Sequence, residues 1–354
     1  MRGPADQVVQ AVTMRIGVLT SGGDCPGLNA VIRSVVHRAV TAYGDTVVGI
    51  LDGYRGLLEG LARPLGLDDV RGILARGGTV LGSARVERER IVRGVERGAE
   101  LAAALGIDAL IAIGGDGTLV AAELFHQGGL PVVGVPKTID NDVAATDTTF
   151  GHDTAVLVAT EALDRLKTTA ESHQRVMVVE LMGRHTGWIT LHAGMAGGAH
   201  GILIPERPFD VEDVCRLVDA RFARGKRFTV LAVAEGATPA PGTLDFRHGG
   251  QDVYGHQRFG GIGHRLAVEL EHRLGKEARP VVLGHVQRGG TPTAQDRVLA
   301  TRFGWHAVEA VHQGVFGHLT ALRGTWIRLV PLSETVGRVR TVPPDQWVEA
   351  RVVL

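Results

Sequence analysis

Short apolar runs rich in β-branched residues recur along the first half of the chain. Gly, Pro or polar residues bound each run, and the runs are residues 15–19, 46–51, 109–113 and 131–135. This pattern is typical of buried strands in a parallel sheet. Apolar residues at helical spacing lie between the runs and predict helices over residues 28–42, 68–75, 94–105 and 118–127. Such alternation of strands and helices indicates an α/β fold.

The second half of the chain repeats the order of strand, polar strand end and helix. Its strands are predicted over residues 176–180, 201–204 and 228–234. Its helices are predicted over residues 153–167, 211–224, 262–274 and 293–313. Because 354 residues exceed the usual size of one domain, two lobes are expected. We therefore predict two Rossmann-like, three-layer αβα lobes with mostly parallel sheets and an active site in the cleft between them.

Two polar clusters directly follow two of the predicted strands. Residues 114–118 read GGDGT, and residues 136–142 read PKTIDND. Because open α/β sheets bind ligands at the carboxyl ends of their strands, both clusters are expected at one edge of a sheet. Glycines let a backbone approach phosphate closely, and the carboxylate of Asp116 suits a hard cation such as Mg²⁺. The carboxylates of the second cluster can accept a proton from a hydroxyl, so the pair indicates phosphoryl transfer.

A glycine-rich turn, residues 20–27, precedes the first predicted helix. The free N–H groups and the dipole of a helix start favour an anion there. An ordinary tight turn is the alternative interpretation. The turn contains neither the Gly-Lys-Ser/Thr of a Walker loop nor a G-x-G-x-x-G sequence. A dinucleotide-dependent oxidoreductase is therefore disfavoured.

Composition narrows the class of protein further. Lys+Arg and Asp+Glu balance at 38 each, so no overall charge attracts nucleic acid or an anionic membrane. The 49 glycines show no collagen period and fit many strand-to-helix turns. Two cysteines provide neither a disulfide framework nor a zinc spacing. Without a signal-peptide pattern or an apolar run long enough to span a membrane, a cytoplasmic enzyme is expected.

The two clusters together resemble the 6-phosphofructokinases. The similarity continues through residues 20–24 (TSGGD), 182–184 (MGR) and 284–290 (GHVQRGG), and it covers about residues 15–313. Residues 150–155 (FGHDTA) and 259–263 (FGGIG) resemble the mixed-substrate branch of the family, which includes pyrophosphate-dependent members. The resemblance implies a glycolytic kinase that transfers the γ-phosphoryl group of ATP to the 1-hydroxyl of fructose 6-phosphate. It also implies Mg²⁺ as cofactor.

The resemblance assigns roles to residues at matching positions. Asp140 is expected to be the general base, and Arg184 to stabilise the transferring phosphoryl group. Nucleotide binding is assigned to Gly22, Arg85, Gly115, Asp116, Gly117 and Thr118, with Asp116 also holding the metal and Asp142 assisting it. Substrate binding is assigned to Thr138, Ile139, Asp140, Arg175, Met182, Gly183, Arg184, Glu235, Arg279, His285 and Arg288.

Residues supplied by a neighbouring subunit are also implied, because the family positions matching Arg175 and Arg279 complete the adjacent site. A homotetramer or homodimer is therefore expected. The lobe that binds nucleotide is predicted to comprise residues 14–152 and about 288–338. The lobe that binds sugar phosphate is predicted to comprise residues 153–287 and about 339–354. Residues 1–13 are interpreted as a loose extension.

The identity of the phosphoryl donor depends on Gly117 and Lys137. By resemblance, pyrophosphate users carry Asp at the first position and Lys at the second, whereas compact ATP users carry glycine at both. An added carboxylate at Gly117 would repel and crowd the phosphates of ATP, and Lys137 is expected to be tolerated as a flexible cation. We therefore predict ATP, with a pyrophosphate-dependent fructose 6-phosphate 1-phosphotransferase as the alternative.

Two further alternatives come from other classes of protein. A nucleotide or lipid kinase sharing only the GGDGT loop would leave the TIDND, MGR and HVQRGG sequences unexplained. A non-catalytic, metabolite-binding subunit should first lose Asp116, Asp140 or Arg184, and all three are present.

Overall fold

The computed structural model of the chain describes residues 13–250 and 259–352. Residues 1–12 of the expected N-terminal extension and the last two residues of the tail lie outside the described part. The strands, in chain order, are β1 (Arg15–Thr20), β2 (Thr46–Ile50), β3 (Ala62–Leu65), β4 (Ala109–Gly114), β5 (Val132–Pro136), β6 (Val176–Leu181), β7 (Gly201–Leu203), β8 (Thr229–Ala234), β9 (Ala278–Val282), β10 (His318–Arg323) and β11 (Trp326–Pro331).

The helices alternate with these strands for most of the chain. They are α1 (Leu28–Arg38), α2 (Tyr54–Glu59), α3 (Arg88–Arg93), α4 (Val95–Ala104), α5 (Asp116–Gln127), α6 (His152–His173), α7 (Trp188–Ala196), α8 (Val211–Ala223), α9 (Ile262–Leu274), α10 (Ala294–His312) and α11 (Pro344–Val352). Among the described residues, no helix is both long and apolar enough to cross a membrane.

Two separate sheets organise the described part of the chain. Its larger sheet has seven strands in the order β11-β10-β5-β4-β1-β2-β3, and its smaller sheet has four in the order β7-β8-β6-β9. All pairs in the smaller sheet are parallel. In the larger sheet only the edge strands β3 and β11 pair antiparallel to their neighbours. The predicted α/β class with mostly parallel sheets is therefore confirmed.

Burial explains why the central strands read as continuous apolar runs. Every residue of β4 and of β6 is buried, as expected for parallel strands covered by helices on both faces. One hydrophobic cluster includes Ile111 of β4 and Val179 of β6, so the two sheets share a continuous core. Helix α6 lies between β5 of the larger sheet and β6 of the smaller sheet in the chain, and it therefore connects the two sheets.

Some predicted elements differ from the structure. The helix predicted over residues 68–75 is wrong, because only a 3₁₀ turn, Asp68–Val70, forms there. Gly72 adopts a φ of 76°, which ends any right-handed helix at that point. The helix predicted over residues 28–42 divides into α1 and a π-helical turn, Ala39–Tyr43. Helix α5 begins two residues earlier than predicted, at Asp116.

The strand registers bring the polar clusters to two common edges. In the larger sheet Thr20 pairs with Ile113 and Gly114 pairs with Pro136, so β1, β4 and β5 end side by side. In the smaller sheet Leu181 pairs with Ala234 at the ends of β6 and β8. The loops that follow these strands form the candidate site.

Candidate active site

The first edge of the site consists of the loops after β1, β4 and β5. A Cβ atom on Gly114 would lie 2.3 Å from the side chain of Thr118, so this position requires glycine. A Cβ on Gly115 would lie 3.3 Å from the carbonyl oxygen of Lys137, which shows that the two polar clusters touch. A Cβ on Gly22 would lie 3.5 Å from Oγ1 of Thr118. The predicted nucleotide residues Gly22, Gly115 and Thr118 are thus brought together.

Gly117 differs from its neighbours because its Cβ direction points into open space. Apart from Gly117 itself, its two chain neighbours and the backbone of its own helix, no atom of the described residues lies within 4 Å of that position. The residue belongs to the first turn of α5 and has no positive φ. The space beside Asp116 is therefore open to a ligand, and a side chain at position 117 would enter it.

Lys137 is buried, contrary to the flexible cation expected from the sequence. It is only 3% exposed, and its ammonium donates a hydrogen bond to the carbonyl oxygen of Gly23. Burial lowers the pKa of Lys137, and the nearby charge of Arg288 lowers it further. The loop after β1 fixes this side chain, because the carbonyl oxygen of Gly23 in that loop accepts the hydrogen bond of the buried ammonium.

Asp140 is held in the centre of the site with one carboxylate oxygen unoccupied. It is 5% exposed, and its N–H donates to Oγ1 of Thr138 at 3.0 Å. Within the described part of the chain, its Oδ1 is buried without a hydrogen-bond partner. Buried polar atoms usually have partners, and exceptions are frequent where a ligand binds. This oxygen is therefore available to a substrate hydroxyl.

Several carboxylates of the site lie near enough to one another to shift one another's pKa. Burial, followed by the negative charge of Asp140, raises the pKa of Asp142 to about 7, and the charge of Asp116 also raises it. Desolvation raises the pKa of Asp116. Arg184 is near enough to lower the pKa of Asp142. A site with this excess of negative charge favours a cation.

The second edge of the site consists of the loops after β6 and β8. The backbone N–H of Arg184 donates to Oε1 of Glu235 at 3.0 Å. Burial raises the pKa of Glu235, and the charge of Asp140 raises it as well. Arg184 itself adopts a φ of 53°, and its neighbour Gly183 a φ of 143°. A left-handed arginine costs about 1–3 kcal/mol, so the surrounding contacts must hold it there.

Thr186 joins the two edges. Its hydroxyl donates to the main-chain oxygen of Asp140 at 3.1 Å and lies 3.3 Å from that of Gly183. No sequence pattern marked Thr186, although it stands two residues after the MGR sequence. The Asp140 loop and the Arg184 loop are thereby fixed against each other.

Two predicted substrate arginines lie away from these residues. Arg175 directly precedes β6 and Arg279 is the second residue of β9, so both stand at the amino ends of strands whose carboxyl ends carry the site. Both guanidinium groups pair with Glu277, each at 2.5 Å. The intervening six residues of β6 separate Arg175 from Arg184 by about 20 Å. One chain therefore does not bring all the predicted residues together.

The remaining predicted residues lie around the two edges. Arg288 donates to the carbonyl oxygen of Asp24 at 3.3 Å, which places it against the β1 loop. His285 is exposed and follows the carboxyl end of β9. Arg85 is exposed and follows Ser83, whose hydroxyl donates to the carbonyl oxygen of Gly22 at 2.5 Å. Ile139 and Met182 are buried and offer mainly their backbone groups.

The donor set suits Mg²⁺. No group of three or more His, Cys, Asp or Glu side chains arranged for a metal occurs among the described residues. Mg²⁺ does not need one, because it usually takes one or two carboxylates and completes its shell with water and phosphate. Asp116, exposed beside the open space at Gly117, meets that requirement.

Known proteins are similar to this chain over nearly its whole length. The family model described as phosphofructokinase matches residues 15–311. ATP-dependent 6-phosphofructokinase 3 of Streptomyces coelicolor is 67% identical over 341 residues, covering 96% of this chain and 100% of that protein. The pyrophosphate–fructose 6-phosphate 1-phosphotransferase of Amycolatopsis methanolica is 59% identical over 339 residues, covering 96% of this chain and 99% of that protein.

A solved structure shows the same fold. The phosphofructokinase from Saccharomyces cerevisiae superposes with a TM-score of 0.81 at 36% sequence identity. The match covers 91% of this chain and 44% of the yeast chain.

Proposed function

This chain belongs to the phosphofructokinase family, and on that premise we propose that it is an ATP-dependent 6-phosphofructokinase. It transfers the γ-phosphoryl group of ATP to the 1-hydroxyl of fructose 6-phosphate, giving fructose 1,6-bisphosphate and ADP. This reaction places it in glycolysis, and the cytoplasm is its proposed location. The observation that carries the proposal is the buried, unpartnered Oδ1 of Asp140, two residues before Asp142, whose pKa responds to the charges of both Asp116 and Arg184.

Asp140 acts as the general base. The free carboxylate oxygen of Asp140 accepts the proton of the sugar 1-hydroxyl while the hydroxyl oxygen attacks the γ-phosphorus. The bond from this phosphorus to the bridging oxygen of ADP breaks at the same time. The backbone hydrogen bonds of the loop fix the carboxylate before substrate arrives. This preorganisation reduces the reorganisation needed during the reaction.

Arg184 stabilises the charge of the transferring group. Its left-handed backbone and the bond from its N–H to Glu235 fix the start of the side chain at the site. A guanidinium spreads charge over several donors and suits phosphate oxygens. Asp116 would hold Mg²⁺, with Asp142 assisting. When bound, Mg²⁺ neutralises the phosphates of the donor.

The sugar phosphate binds between the two edges. Glu235 and the backbone around Met182 and Gly183 contact the sugar hydroxyls, and Thr138 and Ile139 contact its reacting end. His285 and Arg288 bind the 6-phosphate from the end of β9. The nucleotide binds at Gly22, Arg85, Gly115, Asp116, Gly117 and Thr118. Accordingly, the first lobe (residues 14–152 and about 288–338) binds nucleotide, and the second (residues 153–287 and about 339–354) binds sugar phosphate.

A neighbouring subunit completes each site. Arg175 and Arg279 stand about 20 Å from Arg184 along β6, yet their shared pairing with Glu277 holds them together as one cationic unit. Two guanidinium groups form a strong phosphate-binding fork. We therefore propose a homodimer or homotetramer in which this unit contacts the 6-phosphate in the adjacent site.

ATP rather than pyrophosphate is the proposed donor because Gly117 leaves open space next to Asp116. Lys137 does not oppose this choice, since its ammonium is occupied by Gly23 inside the protein. The pyrophosphate-dependent activity remains the second candidate, because a protein named for it is 59% identical to this chain.

A coupled assay tests the proposal directly. Purified protein, fructose 6-phosphate and Mg²⁺ are supplied with either ATP or pyrophosphate, and fructose 1,6-bisphosphate is measured. Turnover with ATP alone is expected. Turnover with pyrophosphate alone would overturn the donor assignment while keeping the role of Asp140. Activity with neither donor would favour the non-catalytic, metabolite-binding subunit.

A further inference from the structure

The main chain of the Asp140 loop is held at every carbonyl from Ile139 to Asp142. Ile139 accepts from Nδ1 of His152 at 2.8 Å, and Asp140 accepts from Thr186 at 3.1 Å. Asn141 accepts from the guanidinium of Arg340 at 3.2 Å, and Asp142 accepts from the main-chain N–H of Arg340 at 2.8 Å. The donors come from three separate parts of the chain. A short loop rarely has all its carbonyls bound from outside, since loops mostly satisfy theirs with water.

His152 is the donor on the α6 side. Burial lowers its pKa to about 3, so the ring is neutral. With Nδ1 donating to Ile139, Nε2 is the acceptor, and it lies 3.0 Å from Nδ1 of His192 on α7. The second imidazole therefore fixes both the tautomer and the ring orientation of the first. The pair links the Asp140 loop to a helix of the smaller-sheet region.

Arg340 is the donor on the C-terminal side. One guanidinium nitrogen donates to the oxygen of Asn141, and the main-chain N–H donates to that of Asp142. The guanidinium also stacks 4.0 Å from the ring centroid of Trp188, whose Nε1 donates to the carbonyl of Arg340 at 2.9 Å. Trp188 begins α7, four residues after Arg184. Arg340 thus contacts the base loop and the Arg184 region together.

The conformation of the loop explains the need for these contacts. Asn141 adopts a φ of 54°, a left-handed conformation that asparagine tolerates better than other non-glycine residues. This turn directly follows Asp140 and sets the direction of its side chain. Displacing a reacting group by about 1 Å can reduce the rate about 100-fold. Bonds to the carbonyls on both sides of the turn oppose such a displacement.

We propose that His152 and Arg340 are positioning residues that fix the carboxylate of Asp140 for proton transfer by binding the carbonyl groups around it. This inference rests on the proposed function, since it assumes that Asp140 is the base. Neither residue contacts the reacting atoms. Their removal should lower kcat and leave substrate binding nearly intact.

Arg340→Met and Arg340→Lys test the guanidinium. The methionine keeps the length of the side chain and its packing on Trp188 but removes the donor to Asn141. We expect kcat to fall about 10- to 100-fold with KM for ATP changed less than about threefold. Lysine restores a donor and should recover most of the loss. Arg207→Met is the matched control, because Arg207 stacks 4.3 Å from Trp347 in the same way.

His152→Asn and His152→Gln test the imidazole. The amide of asparagine reaches the position of Nδ1 and can still donate to Ile139, whereas glutamine reaches the position of Nε2 and loses that bond. We expect His152→Asn to keep kcat within about threefold and His152→Gln to lose more than about tenfold. Equal losses for both variants would show that only the packing of His152 matters.

Hydrogen–deuterium exchange of peptides covering residues 137–150 provides a readout that needs no substrate. Faster exchange in Arg340→Met, but not in Arg207→Met, is expected. Unchanged kcat or unchanged exchange in Arg340→Met would overturn the proposal, as would a loss of activity that merely follows Tm in all variants. If the wild type does not phosphorylate fructose 6-phosphate, the proposed function fails. Exchange then still shows whether the carbonyl contacts hold the loop.

Discussion

Replacing Gly117 with aspartate tests the structural basis of donor choice. The new Cβ meets no described atom within 4 Å, and the backbone has no positive φ. The residue lies in the first turn of α5, where a carboxylate interacts favourably with the helix dipole. The variant should therefore fold with an unchanged or slightly higher Tm. Any loss of activity then reflects weaker binding or reaction of the nucleotide and not misfolding.

The expected loss follows from the charge placed beside Asp116. A phosphate oxygen bound next to Asp116 would lie about 5 Å from the new carboxylate, and unit charges at that distance repel by about 3 kcal/mol at an effective dielectric constant of about 20. This corresponds to a decrease of about 100-fold in kcat/KM for ATP. KM for fructose 6-phosphate should change little, because the proposed sugar site is at the loops after β6 and β8 and not at the start of α5.

The assay measures kcat/KM for ATP in Gly117→Asp, Gly117→Asn and Gln127→Glu. Asparagine has the same shape without the charge and should lose less than about tenfold. Gln127→Glu adds a carboxylate at the exposed last residue of the same helix, about 15 Å from Gly117, and should behave like the wild type. A value for Gly117→Asp within about threefold of the wild type would refute the charge argument.

Three other predictions concern Asp140, Asp296 and the proposed contact between subunits. Asp140→Asn should lower kcat by about 10²- to 10⁴-fold with little change in either KM; a decrease below tenfold would exclude Asp140 as the base. Burial raises the pKa of Asp296, whose carboxylate accepts from Thr154, to about 6. The native state therefore binds this proton more tightly than the unfolded chain, and the contribution of Asp296 to the free energy of unfolding falls as pH rises from about 4 to about 6. Asp296→Asn should flatten that part of the Tm–pH curve, and parallel curves would contradict the assignment. Finally, mixing Asp140→Asn with Arg175→Ala protein should restore up to about a quarter of wild-type activity after subunit exchange, because each hybrid pair contains one intact site. No recovery despite confirmed exchange would show that Arg175 serves another purpose.

Much of the fold is visible in local sequence patterns. Helix α9 has the bounds predicted from its apolar spacing, and the strands β4 and β5 follow runs of β-branched residues. Both signals arise from periodicity, which depends only on neighbouring residues. Helix α7 was missed because it is buried on most sides, so its residues show no amphipathic period.

The candidate site was only partly predictable for the same reason. The GGDGT and TIDND sequences mark the first edge, because each follows a recognisable strand. The burial of Lys137 was not predictable, since its carbonyl partner Gly23 lies 114 residues away in the chain. The contacts of Arg340 were equally hidden, because they join a C-terminal segment without a clear pattern to a loop about 200 residues earlier.

The sequence by itself determined the α/β class and the family, and it marked candidate residues for the chemistry. These depend on short-range patterns and on side-chain chemistry, which can be recognised in each segment without knowing its tertiary contacts. Only the tertiary structure decided which of those residues meet. It separated Arg175 and Arg279 from Arg184, because they stand at opposite ends of parallel strands. It also enclosed the Asp140 loop with donors from α6, from the segment before α7 and from the tail, since hydrogen bonds between distant segments form only when the core packs.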